Sequence, residues 1–189
     1  MIRIGILGDI GSGKSYVAKN FGYPVFDADL EVGKIYKKNR KIFNKLKKVL
    51  PSYIYTFPIK KDEISSAILM NNLNLKKIIT VIHPEIRKKM NMFLKKNIKK
   101  KFVILDIPLL LENKINKKND ILIFVQSNRL DISKKLKKRK NFNLELIKKF
   151  RNIQLSSYLK KEKSQFIIKN DFKKKTVKLA VKKILKEIL

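Results

Sequence analysis

Five short apolar runs, each bounded by polar or turn-forming residues, recur along the chain at residues 2–7, 24–27, 102–106, 120–125 and 165–168. Each is nearly continuous in Val, Ile, Leu and Phe, which predicts strands buried on both faces, because a strand with one wet face would alternate apolar and polar positions. Residues 129–139, 144–163 and 172–188 instead set apolar side chains three or four positions apart with lysines between them, the pattern of amphipathic helices. Strands alternating with helices predict an α/β architecture, a parallel sheet of about five strands with helices on both faces.

The alternation lapses over about residues 35–101, where several helical segments occur and the only strand-like stretch is the ambiguous Tyr53-Ile54-Tyr55-Thr56-Phe57. This span reads as a helical insertion, with one helix at 62–71 and another opened by His83-Pro84. Lys140-Asn141-Phe142-Asn143-Leu144 lies between two lysine-rich helical patterns and is expected to form the tip of a mobile lid over about 129–163. No internal repeat or Gly/Ser-rich linker divides the chain. The expectation is one folding unit with a core at about 1–34, 102–128 and 164–189.

Composition narrows the class. The 189 residues suffice for one domain with a substantial core, and the lack of cysteine removes disulfides and thiolate metal sites. Met1-Ile2-Arg3-Ile4 enters the first strand directly, leaving no room for a signal peptide, and no apolar run approaches the ~20 residues of a membrane helix. A soluble cytoplasmic protein is expected. The net charge of +32 suggests a polyanionic partner, yet its distribution points elsewhere. Lysines spread over nearly every helical face, whereas arginine, whose fork reads phosphates and bases specifically, occurs at only six positions. Salt-sensitive nonspecific binding is expected from the charge alone, without a specific nucleic-acid partner.

The chemistry begins at Gly8-Asp9-Ile10-Gly11-Ser12-Gly13-Lys14-Ser15, which matches G-x-x-x-x-G-K-[ST] at each fixed position and sits between a predicted strand and a predicted helix. Glycines there free the backbone so that successive amides converge on phosphate oxygens, and the helix start adds unpaired donors and the positive end of its dipole. Gly11, Ser12, Gly13, Lys14, Ser15 and the following Tyr16 are the expected nucleotide-binding residues. Lys14 reaches the β and γ phosphates, and the Ser15 hydroxyl is placed to ligate magnesium. ATP and Mg2+ follow as the expected donor and metal.

Other positions narrow the reaction. Asp27-Ala28-Asp29 follows the second predicted strand, and ligands of parallel sheets bind outside the carboxyl ends of the strands. One carboxylate can serve as general base toward an acceptor hydroxyl; helix capping explains the pair equally well. Asp106, closing the third strand, is a candidate magnesium ligand or another cap, and Pro108 ends that strand, with Leu109, Leu110 and Leu111 reading as core. His83, the only histidine, reads more simply as a cap or surface residue than as a ligand. Arg129, Arg139 and Arg151 flank the lid, where a delivered guanidinium can neutralise the transferring phosphoryl group, an effect that reaches about 10³–10⁵ in rate in other nucleotidases, although solvation is the commoner fate of an arginine.

Taken together, Gly5 through Ser15, Asp27-Ala28-Asp29, His83-Pro84, Asp106-Ile107-Pro108-Leu109-Leu110-Leu111-Glu112, Arg139, Gln154, Lys160 and Asn170 resemble the dephospho-coenzyme A kinase family, in family order across about residues 2–170. The resemblance implies a P-loop kinase fold with a core, a helical acceptor region and a lid. It implies transfer of the γ-phosphoryl group of ATP to the 3′-hydroxyl of dephospho-coenzyme A, the last step of coenzyme A formation; a monomer or small homo-oligomer is expected. On this chain it makes Asp29 the base with Asp27 beside it and puts His83, Pro108 and Leu109 at the acceptor. Arg139 joins Lys14 at the phosphates, and Ser15 and Asp106 hold the metal.

The chain departs from the family pattern at several places. Asp9 stands where glycine is usual, Lys61 and Lys135 where arginine is common, Ser164-Gln165 where Ala-Asp is usual, and Asn170 lacks its glycine partner. Lysine keeps the charge but loses the bidentate geometry. Two other readings use the same residues: a nucleoside or nucleotide monophosphate kinase, against which the His83-Pro84 insertion speaks, and a basic nucleic-acid-binding protein.

Overall fold

The structure, a computed structural model, describes residues 1–139 and 142–189. In chain order the elements are β1 (Ile2–Gly8), α1 (Lys14–Asn20), β2 (Val25–Asp27), α2 (Ala28–Lys38), α3 (Arg40–Val49), α4 (Lys61–Met70), α5 (Asn72–Lys96), β3 (Phe102–Asp106), β4 (Ile121–Gln126), α6 (Arg129–Lys137), α7 (Leu144–Asn152), α8 (Ser157–Glu162), β5 (Phe166–Lys169) and α9 (Lys174–Ile188). They form two compact units, Met1–Asp27 with Lys96–Phe142 and Ile153–Leu189, and Ala28–Lys95 with Asn143–Asn152. Of the expected lid tip, Lys140 and Asn141 lie outside the described residues; Asn143 caps α7, its Oδ1 accepting from the Leu146 amide at 2.9 Å.

The first unit holds the sheet. All five strands are parallel in the order β2-β3-β1-β4-β5, so every one ends at the same edge. In β1, β3 and β4 the apolar sequences follow from burial on both faces, whereas the edge strand β5, expected to be buried on both, leaves Ile167 exposed because nothing pairs beyond it. On one face Ile4, Ile6, Phe102, Ile104, Ile123, Val125 and Ile168 pack with Val17, Ala18 and Phe21 of α1 and Val177, Val181 and Ile184 of α9. On the other, the segment after β3 comes so close that a Cβ on Gly5 would lie 2.5 Å from Leu110 Cδ2. Side-chain volume is excluded there by close packing.

The second unit is helical. Its longest element, α5, runs through Pro84, which corrects the expectation that His83-Pro84 opens a helix. Proline removes one backbone hydrogen bond from a helix interior. Here the buried stripe of Leu75, Ile78, Ile82, Ile86 and Met90 continues at helical spacing on both sides of it, so tertiary burial outweighs the local penalty. Residues 53–57 form turns and bends, with Ile54 fully buried.

The helix expected over 144–163 is two helices, α7 and α8. Ser156 restarts the chain as an N-cap, its Oγ accepting from the Leu159 amide at 3.3 Å, and the Leu155 amide donates to Glu112 Oε1 at 2.8 Å instead of to a helical carbonyl.

At the amino edge of the sheet Arg3 of β1 is buried and donates through Nη2 to Asp120 Oδ2 at 2.8 Å and to the Ile115 carbonyl at 2.9 Å. Burial raises the Asp120 pKa despite the bonds and the guanidinium that oppose it. Removing one partner strands the other charge without water. Asp120→Ala is expected to lower unfolding free energy by about 3–5 kcal/mol, read from urea titrations; a loss within the range of surface substitutions would show the pair to be solvated.

Candidate active site

The phosphate loop leaves the end of β1 at Gly8 and enters α1 at Lys14. Glycine is required by geometry at several places in the loop, most plainly at Gly11 and Gly13. Gly11 has φ 89° and Gly13 φ 88°, and a Cβ on Gly13 would stand 2.4 Å from Asn170 Nδ2. Between them the Ser12 carbonyl accepts two hydrogen bonds, from Asn170 Nδ2 at 2.8 Å and Ser127 Oγ at 3.0 Å. Asn170, itself buried, also accepts from the Phe172 amide at 2.9 Å, so its side chain ties the end of β5 to the loop. The Ser12 Oγ is buried and has no hydrogen-bond partner.

Lys14 Nζ donates to the Gly8 carbonyl at 3.1 Å and the Asp9 carbonyl at 2.9 Å, which holds the ammonium against the loop. Ser15 and Tyr16 follow in the first turn of α1, both exposed. The Asp9 carboxylate accepts from Ser157 Oγ at 2.6 Å.

Two candidate acidic residues of this unit, Asp27 and Asp106, share the loop's edge of the sheet. Asp27 and Asp106 are register partners at the ends of β2 and β3, and β3 lies beside β1. Asp106 is buried. Pro108 and Leu109 are half-buried just beyond it, and the Pro108 carbonyl is 3.5 Å from Gln154 Nε2. Arg139 is exposed after α6, its amide bonded to the Leu136 carbonyl at 3.0 Å. Lys135 puts its ammonium 5.4 Å from the centroid of the Phe172 ring.

In the second unit Asp29 is exposed in the first turn of α2, two residues along the chain from Asp27, where a negative charge suits the helix dipole. His83 is half-buried on α5, and burial, followed by the charge of Arg87, holds its pKa below the ordinary histidine range. The imidazole is therefore neutral at pH 7, a donor through one nitrogen and an acceptor through the other.

The sequence did not point to Ser127 and Asn170 as supports of the loop, or to Glu112 and Lys160 as braces of the segment leading into α8. Ser127 and Asn170 could have been found as polar residues immediately past strand ends, the position that in parallel sheets faces ligands. Lys160 stands out in the sequence only through the family resemblance, since by residue type it is one lysine among many. It is 1% exposed, bonded to Gln154 Oε1 at 3.1 Å and paired with Glu112 Oε1 at 3.4 Å.

A glycine loop on a central parallel strand, with its lysine and with carboxylates ending β3 beside it and β2 beyond, defines a P-loop kinase of the α/β class. The dephospho-CoA kinase family model (CoaE) matches residues 2–176. The dephospho-CoA kinase of Wolbachia pipientis wMel is 32% identical over 187 residues, 96% of this chain and 95% of that protein. Among solved structures, TT1252 from Thermus thermophilus superposes with a TM-score of 0.80 at 25% identity over 100% of this chain and 98% of that one. The dephospho-CoA kinase from Campylobacter jejuni shares the fold with a TM-score of 0.63 at 21% identity, over 98% of this chain and 96% of its own. The chain belongs to the dephospho-CoA kinase family, whose reaction is the ATP-dependent phosphorylation of dephospho-CoA, the final step of coenzyme A formation.

The lowered His83 pKa has a sign for stability. Between the folded value and 6.5 the unfolded chain binds more protons than the folded one, so stability falls as pH drops through that window. Urea unfolding from neutral pH down to about pH 5 should show His83→Gln losing less stability on acidification than the parent. Identical slopes would place the acid sensitivity in other groups.

Proposed function

We propose that Asp29 removes the proton from the ribose 3′-hydroxyl of dephospho-CoA as that oxygen attacks the γ phosphorus of ATP, forming the new P–O bond while the bond to the bridging β–γ oxygen breaks and ADP leaves. The observation that supports this most is the formed phosphate loop, with Lys14 on it and Asp27 and Asp106 ending neighbouring strands at its edge. Gly11, Ser12, Gly13, Ser15 and Tyr16 bind the triphosphate with Lys14, which exchanges the Gly8 and Asp9 carbonyls for the β and γ oxygens. Arg139 neutralises charge on the transferring group. Asp27, His83, Pro108 and Leu109 bind the acceptor, the neutral imidazole as a hydrogen-bonding group.

Among the described residues no group of three or more His, Cys, Asp and Glu side chains could hold a metal ion by itself. Magnesium fits the donors present nonetheless, since it keeps most ligands as water and phosphate oxygens and asks the protein for one or two hard oxygens. Ser15 and Asp106 would hold it, and it would supply charge neutralisation on the β and γ phosphates.

In this reading the core binds nucleotide, the helical insertion at about 35–101 receives the acceptor and 129–163 acts as a lid. The protein works in the cytoplasm as a monomer or small homo-oligomer without a specific nucleic-acid partner. No helix among the described residues is long and apolar enough to cross a membrane.

Coupled ADP release tests the assignment. Turnover is expected with dephospho-CoA; activity only with a nucleoside monophosphate would reject it. Lys14→Ala should abolish transfer. Asp29→Asn should lower kcat by about 10²–10⁴ with little change in ATP affinity by calorimetry, and unchanged turnover would move the base elsewhere.

A further inference from the structure

The phosphate loop carries a negative charge within its own Gly8–Ser15 segment. Asp9 lies between Gly8 and Ile10, in a segment whose purpose is to present amides and an ammonium to phosphate oxygens. A carboxylate turned toward bound triphosphate would oppose it with little intervening water. Its direction is set by one side chain, because Ser157 Oγ donates to Asp9 Oδ1 at 2.6 Å.

Ser157 is the first residue of α8, and α8 is held firmly. Lys160, one turn along, is fully buried and pairs with Glu112 at 3.4 Å. Its Nζ also donates to Gln154 Oε1 at 3.1 Å, and the Leu155 amide donates to Glu112 at 2.8 Å. Ser156 caps the helix start, and Ser164 Oγ donates to the Lys160 carbonyl at 2.7 Å. The hydroxyl of Ser157 therefore projects from a braced element, while its partner belongs to the loop. The Asp9 backbone faces the site at the same time, its carbonyl accepting from both Lys14 Nζ at 2.9 Å and the Ser12 amide at 3.1 Å.

We propose that Ser157 is a positioning residue that draws the Asp9 carboxylate toward α8 and away from the phosphates, so that a loop with an acidic residue still binds ATP. The proposal rests on the loop being the ATP site, and calorimetry of the parent protein with MgATP tests that first. No binding by the parent would remove the premise; binding leaves the role of Ser157 to be decided by variants.

In Ser157→Ala the carboxylate is freed. Kd and KM for MgATP should rise by about three- to tenfold, with kcat and the KM for dephospho-CoA near parent values. The penalty should shrink as KCl rises, because the freed charge is exposed to screening. Ser157→Thr, which keeps the hydroxyl, should bind MgATP as the parent does. Adding Asp9→Gly to Ser157→Ala removes the offending charge and should reverse the penalty. Unchanged affinity in Ser157→Ala overturns the proposal. So does a loss that Asp9→Gly fails to reverse or that is insensitive to KCl, since that would reflect disturbed structure and not misdirected charge.

Discussion

The constraint on which the site depends is the common direction of five strands. In a parallel sheet every carboxyl end must lie at one edge, and here that edge collects Gly8, Asp27, Asp106, Ser127 and Asn170 within a few residues of their strand ends. Side chains distant in sequence thereby meet at the Ser12 carbonyl, where Asn170 and Ser127 both donate. The loop is shaped by its own glycines and held by donors from two neighbouring strands. The Ser12 carbonyl is thus satisfied from two sides, while the Ser12 Oγ beside it stays buried without a hydrogen-bond partner.

Much of the fold was legible because its physics is local. Strands buried on both faces must be apolar throughout, and a phosphate loop must have glycine where the backbone turns left-handed. The interruption between α7 and α8 was not legible, because it depends on Glu112, 43 positions before the Leu155 amide that it accepts from. Pro84 misled for the converse reason: its local preference is real, but the buried stripe of α5 overrides it. For the site, residue types and spacing pointed to the loop, whereas the contact of Asp9 with Ser157 spans 148 positions and no periodicity encodes it.

Charge shows the same division. Most lysines lie exposed on helices, where they solvate the surface and contribute little individually. Lys160 has the same composition and the opposite role, with its charge buried against Glu112 and its nitrogen satisfied by Gln154. Such a pair is weak evidence for net stability, but loss of either member is costly, so it acts chiefly as a geometric fastening.

The ion pair of Arg3 and Asp120 sits at the amino ends of β1 and β4, the rim opposite the chemistry. Durability and reactivity are thus anchored at separate ends of the same strands. Substitutions that retune donor or acceptor preference can accumulate at the carboxyl rim while the buried clasp below goes untouched, which leaves this architecture room to diversify its substrates without renegotiating how it stays folded.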